Sequence, residues 1–447
     1  MITNKNQWYQ KRNLRTSSFI DDSSALDNFH VGIILPENIN ENRILKLTEL
    51  TLNILSRWCS NISIDNPYPE INEHLLKLLK INDPYISVTF NSIKSFKSHI
   101  NVFISPRQIT DMDHDYISID GKGWLSCCSF NKTTSLPESK SQNDIIGISF
   151  AACLVNAELF RYSIHKPCVP YTKWYSVWNL ECYDYQPVKD DGQDWVQYDL
   201  GNINLIGCGA IGSSFVYLFP FTGLKANFLL IDPDPLEIHN TSSSLLFSAD
   251  AAIKGELKVL QNKQWLNQYD INAEIFPHYY NNLSNSNCDL VCCFANEKDI
   301  WASLQNNYPP LTFHATTSKN WSVNIGRHIP LIDECIACTF KDIIKTEFVP
   351  ICGGVELPTI NTETETHTAI LPYLAPVAAV ICLAQIIKTV SGKIEKAGVT
   401  NFSMLTPNGS FIEDITKFGN CTICESQEVL YKKSFGKKSK FWALSLR

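Results

Sequence analysis

The chain is short of charge, and it lacks the segments that would make it extended or membrane-bound. Charged residues are 19% of its 447 positions against 44% apolar, the composition of a globular protein with ample core for two or three domains. Positive excess is absent. The net charge is -7, which argues against nonspecific nucleic-acid binding, so no nucleic-acid partner is expected. No apolar run reaches membrane-spanning length. The longest, Val377 to Ile387, has 11 residues and Gln385 inside it, so no membrane partner is expected. The start is polar (Met1-Ile2-Thr3-Asn4-Lys5), so no signal peptide is expected. With 16 cysteines, that start argues for a reducing cytoplasm, where thiols are buried hydrophobes, metal ligands or nucleophiles rather than disulfides. Low-complexity sequence is nearly absent: Thr359 to Thr368 is a Thr-rich loop, and Lys432 to Lys440 reads as a solvated basic tail or a partner contact.

What is present concentrates between Asn202 and Lys258. Ile203 to Ile206 reads as a buried strand. Gly207-Cys208-Gly209-Ala210-Ile211-Gly212 follows, then a helix. A second strand, Asn227 to Ile231, ends in Asp232-Pro233-Asp234. A strand feeding a helix through G-x-G-x-x-G lets backbone approach a phosphate and presents helix N-terminal amides to it. The acid that binds a ribose hydroxyl is expected about 20 residues on, and Asp232 lies 20 residues after Gly212. This much says only that a nucleotide or dinucleotide binds.

The residues behind the acid narrow the choice. Asp232, Asp234, Glu237, Asn240 and then Gly255-x-x-Lys258 set acids, an amide and a lysine beside the phosphate turn. A nicotinamide-dependent oxidoreductase has no use for that cluster. An enzyme attacking ATP at phosphorus does: acids hold ribose and magnesium, and a lysine neutralises charge on phosphate. The pattern resembles the ThiF/MoeB/HesA and ubiquitin-activating enzyme family, whose signature runs G-x-G-x-x-G, D-x-D-x-V-E-x-x-N-L-x-R-Q, G-x-x-K. The match covers the glycines, both aspartates, the glutamate, the asparagine and the lysine. The resemblance implies ATP and Mg2+ at Gly207, Gly209, Gly212, Asp232, Asp234, Asn240 and Lys258, with Lys258 catalytic on the phosphates.

Two positions depart from the family. Its Leu-x-Arg-Gln is here Thr241-Ser242-Ser243-Ser244, so the arginine becomes Ser243. Its magnesium-binding aspartate after a later strand aligns with Asn296, an uncharged amide that can still coordinate the ion. In this family an N-terminal arginine often reaches across a pseudo-dimer. Arg12 and Arg15 are placed to do so, although a solvated basic tail is the plainer reading.

Cysteine forms the second constellation. Cys335-x-x-Cys338 and Cys421-x-x-Cys424 have metal spacing, and two such pairs close a tetrahedral zinc site. The 82 residues between them far exceed a zinc ribbon, so spacing alone leaves two unrelated buried pairs open. The resemblance implies a structural Zn2+ clipping the chain end onto the domain. Cys352, in Pro350-Ile351-Cys352-Gly353-Gly354, sits where thioester-forming relatives often carry their nucleophile, and some relatives have an idle cysteine there. Cys59, Cys127, Cys128, Cys153, Cys168, Cys182, Cys288, Cys292, Cys293 and Cys382 are read as core packing.

The first 195 residues also read as α/β, with strands at 31–35, 85–90 and 99–104 and helices at 43–59 and 145–162. They carry no glycine fingerprint and no acid cluster. Ala151-Ala152-Cys153-Leu154-Val155-Asn156-Ala157-Glu158 is echoed by Ala378-Ala379-Val380-Ile381-Cys382-Leu383-Ala384-Gln385. Either two core helices share small faces by chance, or the chain is an internal duplication whose first half kept the fold and lost the site. The fold expected is therefore a Rossmann-like ThiF-type adenylation domain (196–447), preceded by an inactive adenylation-like α/β domain (1–195), across a polar linker at Lys189 to Asp194.

The function expected is ATP-dependent activation of the C-terminal glycine carboxylate of a ubiquitin-like protein. Thioester formation at Cys352 and transfer to a conjugating enzyme would follow, as in bacterial ubiquitin-like conjugation; a homodimer is possible. Alternatives stay open: a peptide adenylase in natural-product biosynthesis, a sulfur-carrier adenylyltransferase, and a noncatalytic scaffold that keeps fold and zinc.

Overall fold

The computed structural model describes residues 4–16, 26, 28–106, 114–139, 141–164, 170–190, 192–195, 197–283, 288–295, 300, 304, 311–318, 321–329, 332–333, 370–393, 399–404, 409–414 and 440–441. Its strands form two eight-stranded sheets. The first contains β1 (His30–Ile34), β2 (Asn61–Asp65), β3 (Ser87–Phe90), β4 (Ile100–Ile104), β5 (Tyr116–Lys122), β6 (Leu125–Phe130), β7 (Tyr171–Ser176) and β8 (Glu181–Tyr183). The second contains β9 (Asp199–Ile206), β10 (Lys225–Ile231), β11 (Ala273–Phe276), β12 (Leu290–Cys293), β13 (Thr312–Thr317), β14 (Ser322–His328), β15 (Val399–Ser403) and β16 (Ser410–Asp414). Helices α1 (Lys5–Arg12), α2 (Asn42–Leu55), α3 (Asn72–Asn82) and α4 (Ile145–Ile164) accompany the first sheet. With the second go α5 (Ala210–Leu218), α6 (Ala249–Lys254), α7 (Lys258–Asn267) and α8 (Leu374–Val390).

The two sheets have one topology. The first runs β3-β2-β1-β4-β5-β6-β7-β8, the second β11-β10-β9-β12-β13-β14-β15-β16. In each, the first five strands of that order are parallel and the remaining three pair antiparallel. The parallel strands are Rossmann-like, with strand order reversing between β1 and β4 and between β9 and β12. The helices α4 and α8, whose Ala-Ala segments echo each other in sequence, occupy equivalent places before β7 and before β15. They pack on one another. Both helices are buried nearly all round. The two helices thus sit at equivalent places in two sheets of the same strand order.

One buried apolar cluster runs through both halves, from Leu50 and Phe150 to Phe215 and Val380. At the join, Phe150 meets Phe402 edge-on at 4.9 Å, and Phe160 meets Tyr373 at 5.9 Å. Among the described residues α4 has the length and apolarity to cross a membrane, with mean hydropathy 1.4, and 94% of that stretch is buried inside the protein. Ser149, Asn156 and Glu158 interrupt its apolar run, so the length is not evident from uninterrupted apolar residues. Asn156 is held from within, accepting from Trp58 Nε1 at 3.2 Å and donating to Ala152 O at 2.8 Å.

Residues in the expected polar linker and in the expected solvated N-terminal tail are packed. In the linker, Asp190 is buried and accepts from Trp124 N, Gly192 N and Ser139 Oγ at 2.7 to 3.1 Å. Gly192 crosses the Trp124 indole so closely that a Cβ would stand 1.9 Å from the ring. At the N-terminus, Arg12 is 1% exposed and pairs with the fully buried Asp83 at 2.7 Å. It also donates to the Ser56 and Trp58 carbonyls. It is a structural arginine of the first half. The apolar contacts of Trp8 and Tyr9 with Ala249 hold α1 in place.

Candidate functional site

The carboxyl ends of β9 and β12, where strand order reverses in the second sheet, carry the glycine turn. Ile203, Leu205 and Ile206 are buried, as a central parallel strand requires. Each glycine has its own reason. Gly207 has φ +87°, and a Cβ there would meet Ala295 N at 2.6 Å. Gly212 lies on α5 under the turn, where a Cβ would stand 2.0 Å from Gly207 O. Gly209 would meet nothing within 4 Å, so its missing side chain serves open space beside the turn rather than packing. It begins α5 without a side-chain cap, leaving the first amides of the helix for an outside acceptor. Cys208 points inward and is fully buried, which keeps its thiol protonated.

Asp232 follows β10 directly and reaches back under the turn. It accepts from Cys208 N at 2.8 Å and from Asp234 N at 2.9 Å. Burial raises its carboxyl above the ordinary value, against the pull of the Lys258 ammonium. Lys258 opens α7, and its own amide donates to Asp234 O at 3.1 Å. Its Nζ pairs with Asp234 at 2.6 Å and stands 3.9 Å from Asp232. An isolated antiparallel bridge between Pro235 and Leu257 ties the two segments together. Gly255, at φ +65°, closes α6 and turns the chain towards Lys258. Asp232, Asp234 and Lys258, 26 residues apart at the extremes, thus meet beside the glycine turn.

Asn240 is committed locally. Its Oδ1 accepts from Glu237 N at 2.8 Å in a capping box that fixes the short turn 238–242, leaving the amide NH2 as its remaining donor. Ser243 is buried. Asn296, Cys352, Cys335, Cys338, Cys421 and Cys424 lie outside the described residues. Among the described residues no cluster of three or more His, Cys, Asp or Glu could hold a metal ion. Cys59, Cys127, Cys128, Cys153, Cys292, Cys293 and Cys382 are buried, and Cys182 and Cys288 partly so.

The same crevice in the first sheet has different chemistry. Ile34 corresponds to Ile206, because each is the last strand residue paired to both neighbours. Leu35-Pro36-Glu37 then replaces the glycine turn, lining a cavity of about 630 Å³ with Tyr68 and Phe103. Pro36 has no N–H to donate and Glu37 repels an anion. Asn66, the counterpart of Asp232, spends its amide on Tyr68 O and Asn72 Oδ1.

No protein-family model matches the chain. No curated protein matches it significantly either. Solved structures do resemble it. E. coli MccB with ATP is 19% identical over 50% of this chain and 67% of that one, at a TM-score of 0.38. E. coli MccB with SeMet MccA gives the same identity and score over 50% and 66%. The microcin C7 biosynthetic enzyme MccB with N-formylated MccA gives 19%, 50%, 67% and 0.38. This chain thus spans about two thirds of the length of each of them, and the likeness is too loose to transfer a function.

Proposed function

We propose that this chain is an ATP-dependent adenylating enzyme that activates the C-terminal carboxylate of a peptide or protein. The observation that carries this is the meeting of Asp232, Asp234 and Lys258 beside a turn whose second glycine faces open space. A site for hydride transfer has no need of that ion cluster. In this reading the α5 amides and Lys258 take the phosphates of ATP, and Asp232 takes the ribose. Asp234, with its side chain 53% exposed, is placed to hold Mg2+, which would add positive charge to the phosphates, and the remaining NH2 of Asn240 can donate to a nucleotide oxygen. A substrate carboxylate oxygen attacks the α-phosphorus. The new P–O bond forms as the bond to the β-phosphate breaks, and pyrophosphate leaves. Lys258 swings from Asp234 to the charge that develops there.

The finer reading is that the carboxylate belongs to a ubiquitin-like protein ending in glycine. The Cys352 thiolate would then attack the acyl carbon and expel AMP, and a conjugating enzyme would take the acyl group from the thioester. Residues 196–447 would form the active unit with a structural Zn2+ on Cys335, Cys338, Cys421 and Cys424. Residues 1–195 would be its inactive counterpart, in keeping with Pro36 and Glu37 in place of a phosphate turn. Peptide adenylation without a thioester stands beside this: the two readings share the adenylation step proposed at Asp232, Asp234 and Lys258, and part only at Cys352.

Exchange of labelled pyrophosphate into ATP, driven by carboxyl-terminal peptides, tests the class. No exchange in the wild type would sink it, and exchange that survives both Lys258→Ala and Asp232→Ala would sink the site assignment. A reducible protein adduct, lost in Cys352→Ala, separates conjugation from peptide adenylation.

A further inference from the structure

Arg57 is the least explained group in the fold. It follows α2, is 1% exposed, and no carboxylate among the described residues pairs with it. Burial pushes its guanidinium down to about 9. A buried cation without a counter-ion is retained only if every donor is satisfied, and here all five are. Nε donates to Asn53 Oδ1 at 3.0 Å. One Nη2 donation goes to Asn82 Oδ1 at 3.0 Å. The other three cross to the second half: Nη1 to Thr241 O at 2.7 Å and Phe247 O at 3.1 Å, and Nη2 to Leu245 O at 2.7 Å. Asn53 Nδ2 adds a second donor to Leu245 O at 3.0 Å.

The stretch 241–247 leads from Asn240 towards α6, Gly255 and Lys258. It brackets Ser243, where the motif's arginine is missing. On its other side it rests on α5: Ser244 Oγ meets Ser213 Oγ at 2.6 Å, and Leu245 N donates to Ser214 Oγ at 3.3 Å. The stretch is therefore pinned between the helix that opens at the glycine turn and one guanidinium from the other half.

We infer that Arg57 is a positioning residue through which the first half of the chain holds the 241–247 segment, and with it Asn240, in the geometry the candidate site uses. This gives the first half a task in the site although its own crevice suits no phosphate. The nucleotide part of the inference rests on the adenylation reading above; the segment part does not. Lysine cannot substitute fully, having three donors on one point instead of five in a planar fork.

The test measures hydrogen exchange of the 241–247 amides, together with affinity for Mg-ATP, in wild type, Arg57→Met and Arg57→Lys. Arg43→Met is the control, because Arg43 bonds only within the first half, to Asp120, Gly121 and Ser105. In Arg57→Met the segment should exchange at least about tenfold faster while β1 and β4 keep their protection. Affinity should fall about tenfold, and Arg57→Lys should lie between. Arg43→Met should leave both readouts at wild type. Segment exchange in Arg57→Met that rises no more than the rest of the chain, or no more than in Arg43→Met, overturns the inference. If Arg57→Met does not fold, Arg57→Lys alone decides by the same comparison. Wild type that binds no Mg-ATP defeats the adenylation reading, while the exchange result still decides the role of Arg57.

Discussion

Gly212 lies under Gly207 so closely that a Cβ on it would stand 2.0 Å from the Gly207 carbonyl oxygen. Backbone cannot yield as a side chain can, so Gly212→Ala must push α5 away from the turn. The expected cost is about 1–3 kcal/mol of stability, with loss of nucleotide binding. Gly209→Ala is the contrast. A Cβ there meets nothing within 4 Å, so stability should fall less than in Gly212→Ala while nucleotide affinity falls. Thermal denaturation and nucleotide titration of the two variants check the pair. Equal stability of Gly212→Ala and Gly209→Ala would mean the turn is packed differently.

On the proposed adenylation reading, Lys258 matters for chemistry more than for folding. Its bond to Asp234 joins it to a half-exposed carboxylate, and such pairs contribute about 1 kcal/mol or less. Removing a cation aimed at developing charge costs far more in rate, about a hundredfold or greater. Lys258→Ala should therefore melt near the wild-type temperature and lose pyrophosphate exchange. A large drop in melting temperature would instead mark Lys258 as a structural residue.

His314 gives the protein a pH dependence with a defined sign. It is fully buried on β13 against Gly326, with His328 nearby, and burial lowers its pKa to about 3, the neighbouring imidazole adding to the effect. A histidine depressed in the folded state stays neutral while its unfolded counterpart, near 6.5, takes a proton. Its contribution is complete above that value and is lost as pH falls towards about 3. The slope is about 1.4 kcal/mol per pH unit in that window. Urea unfolding at pH 7 and pH 5 should show the loss, and His314→Gln should flatten it. An unchanged slope in that variant would assign the acid sensitivity elsewhere. Asp232 acts in the opposite sense: its raised carboxyl favours the folded state at low pH and loses that contribution as pH rises through its pKa.

Arg12 and Asp83 form a buried ion pair, so breaking it should leave a lone charge in the core. Arg12→Met should cost about 3–5 kcal/mol in chemical denaturation. A solvated tail would cost nothing, and that result would detach α1 from the fold.

Much of the second half was legible in sequence because its signals are local. The turn from Gly207 to Gly212, the strand before it and the acid after the next strand all lie within 30 residues. Backbone strain at Gly207 and close packing at Gly212 can be met by glycine alone, and so leave a written trace. The repeat of Ala151-Ala152 in Ala378-Ala379 was legible for a similar reason, since close helix contact selects small residues. The antiparallel part of the first sheet was not. β5 to β8 include Ser118, Ser126 and Ser129, all buried and hydrogen-bonded, so the pattern of apolar and polar residues does not mark their faces.

By itself, the sequence determined the nucleotide-type turn, the acids and lysine behind it, and the likeness of its two halves. Each depends on residues near one another in the chain. Only the tertiary structure decided that Arg12 is core, that Asp190 is packed under Trp124, and that Arg57 spans the halves. Those side chains are satisfied by backbone groups and neighbours remote in sequence: Thr241 lies 184 positions from Arg57. A carbonyl accepts a hydrogen bond whatever its side chain, so no residue pattern at 241–247 announces the arginine that holds it.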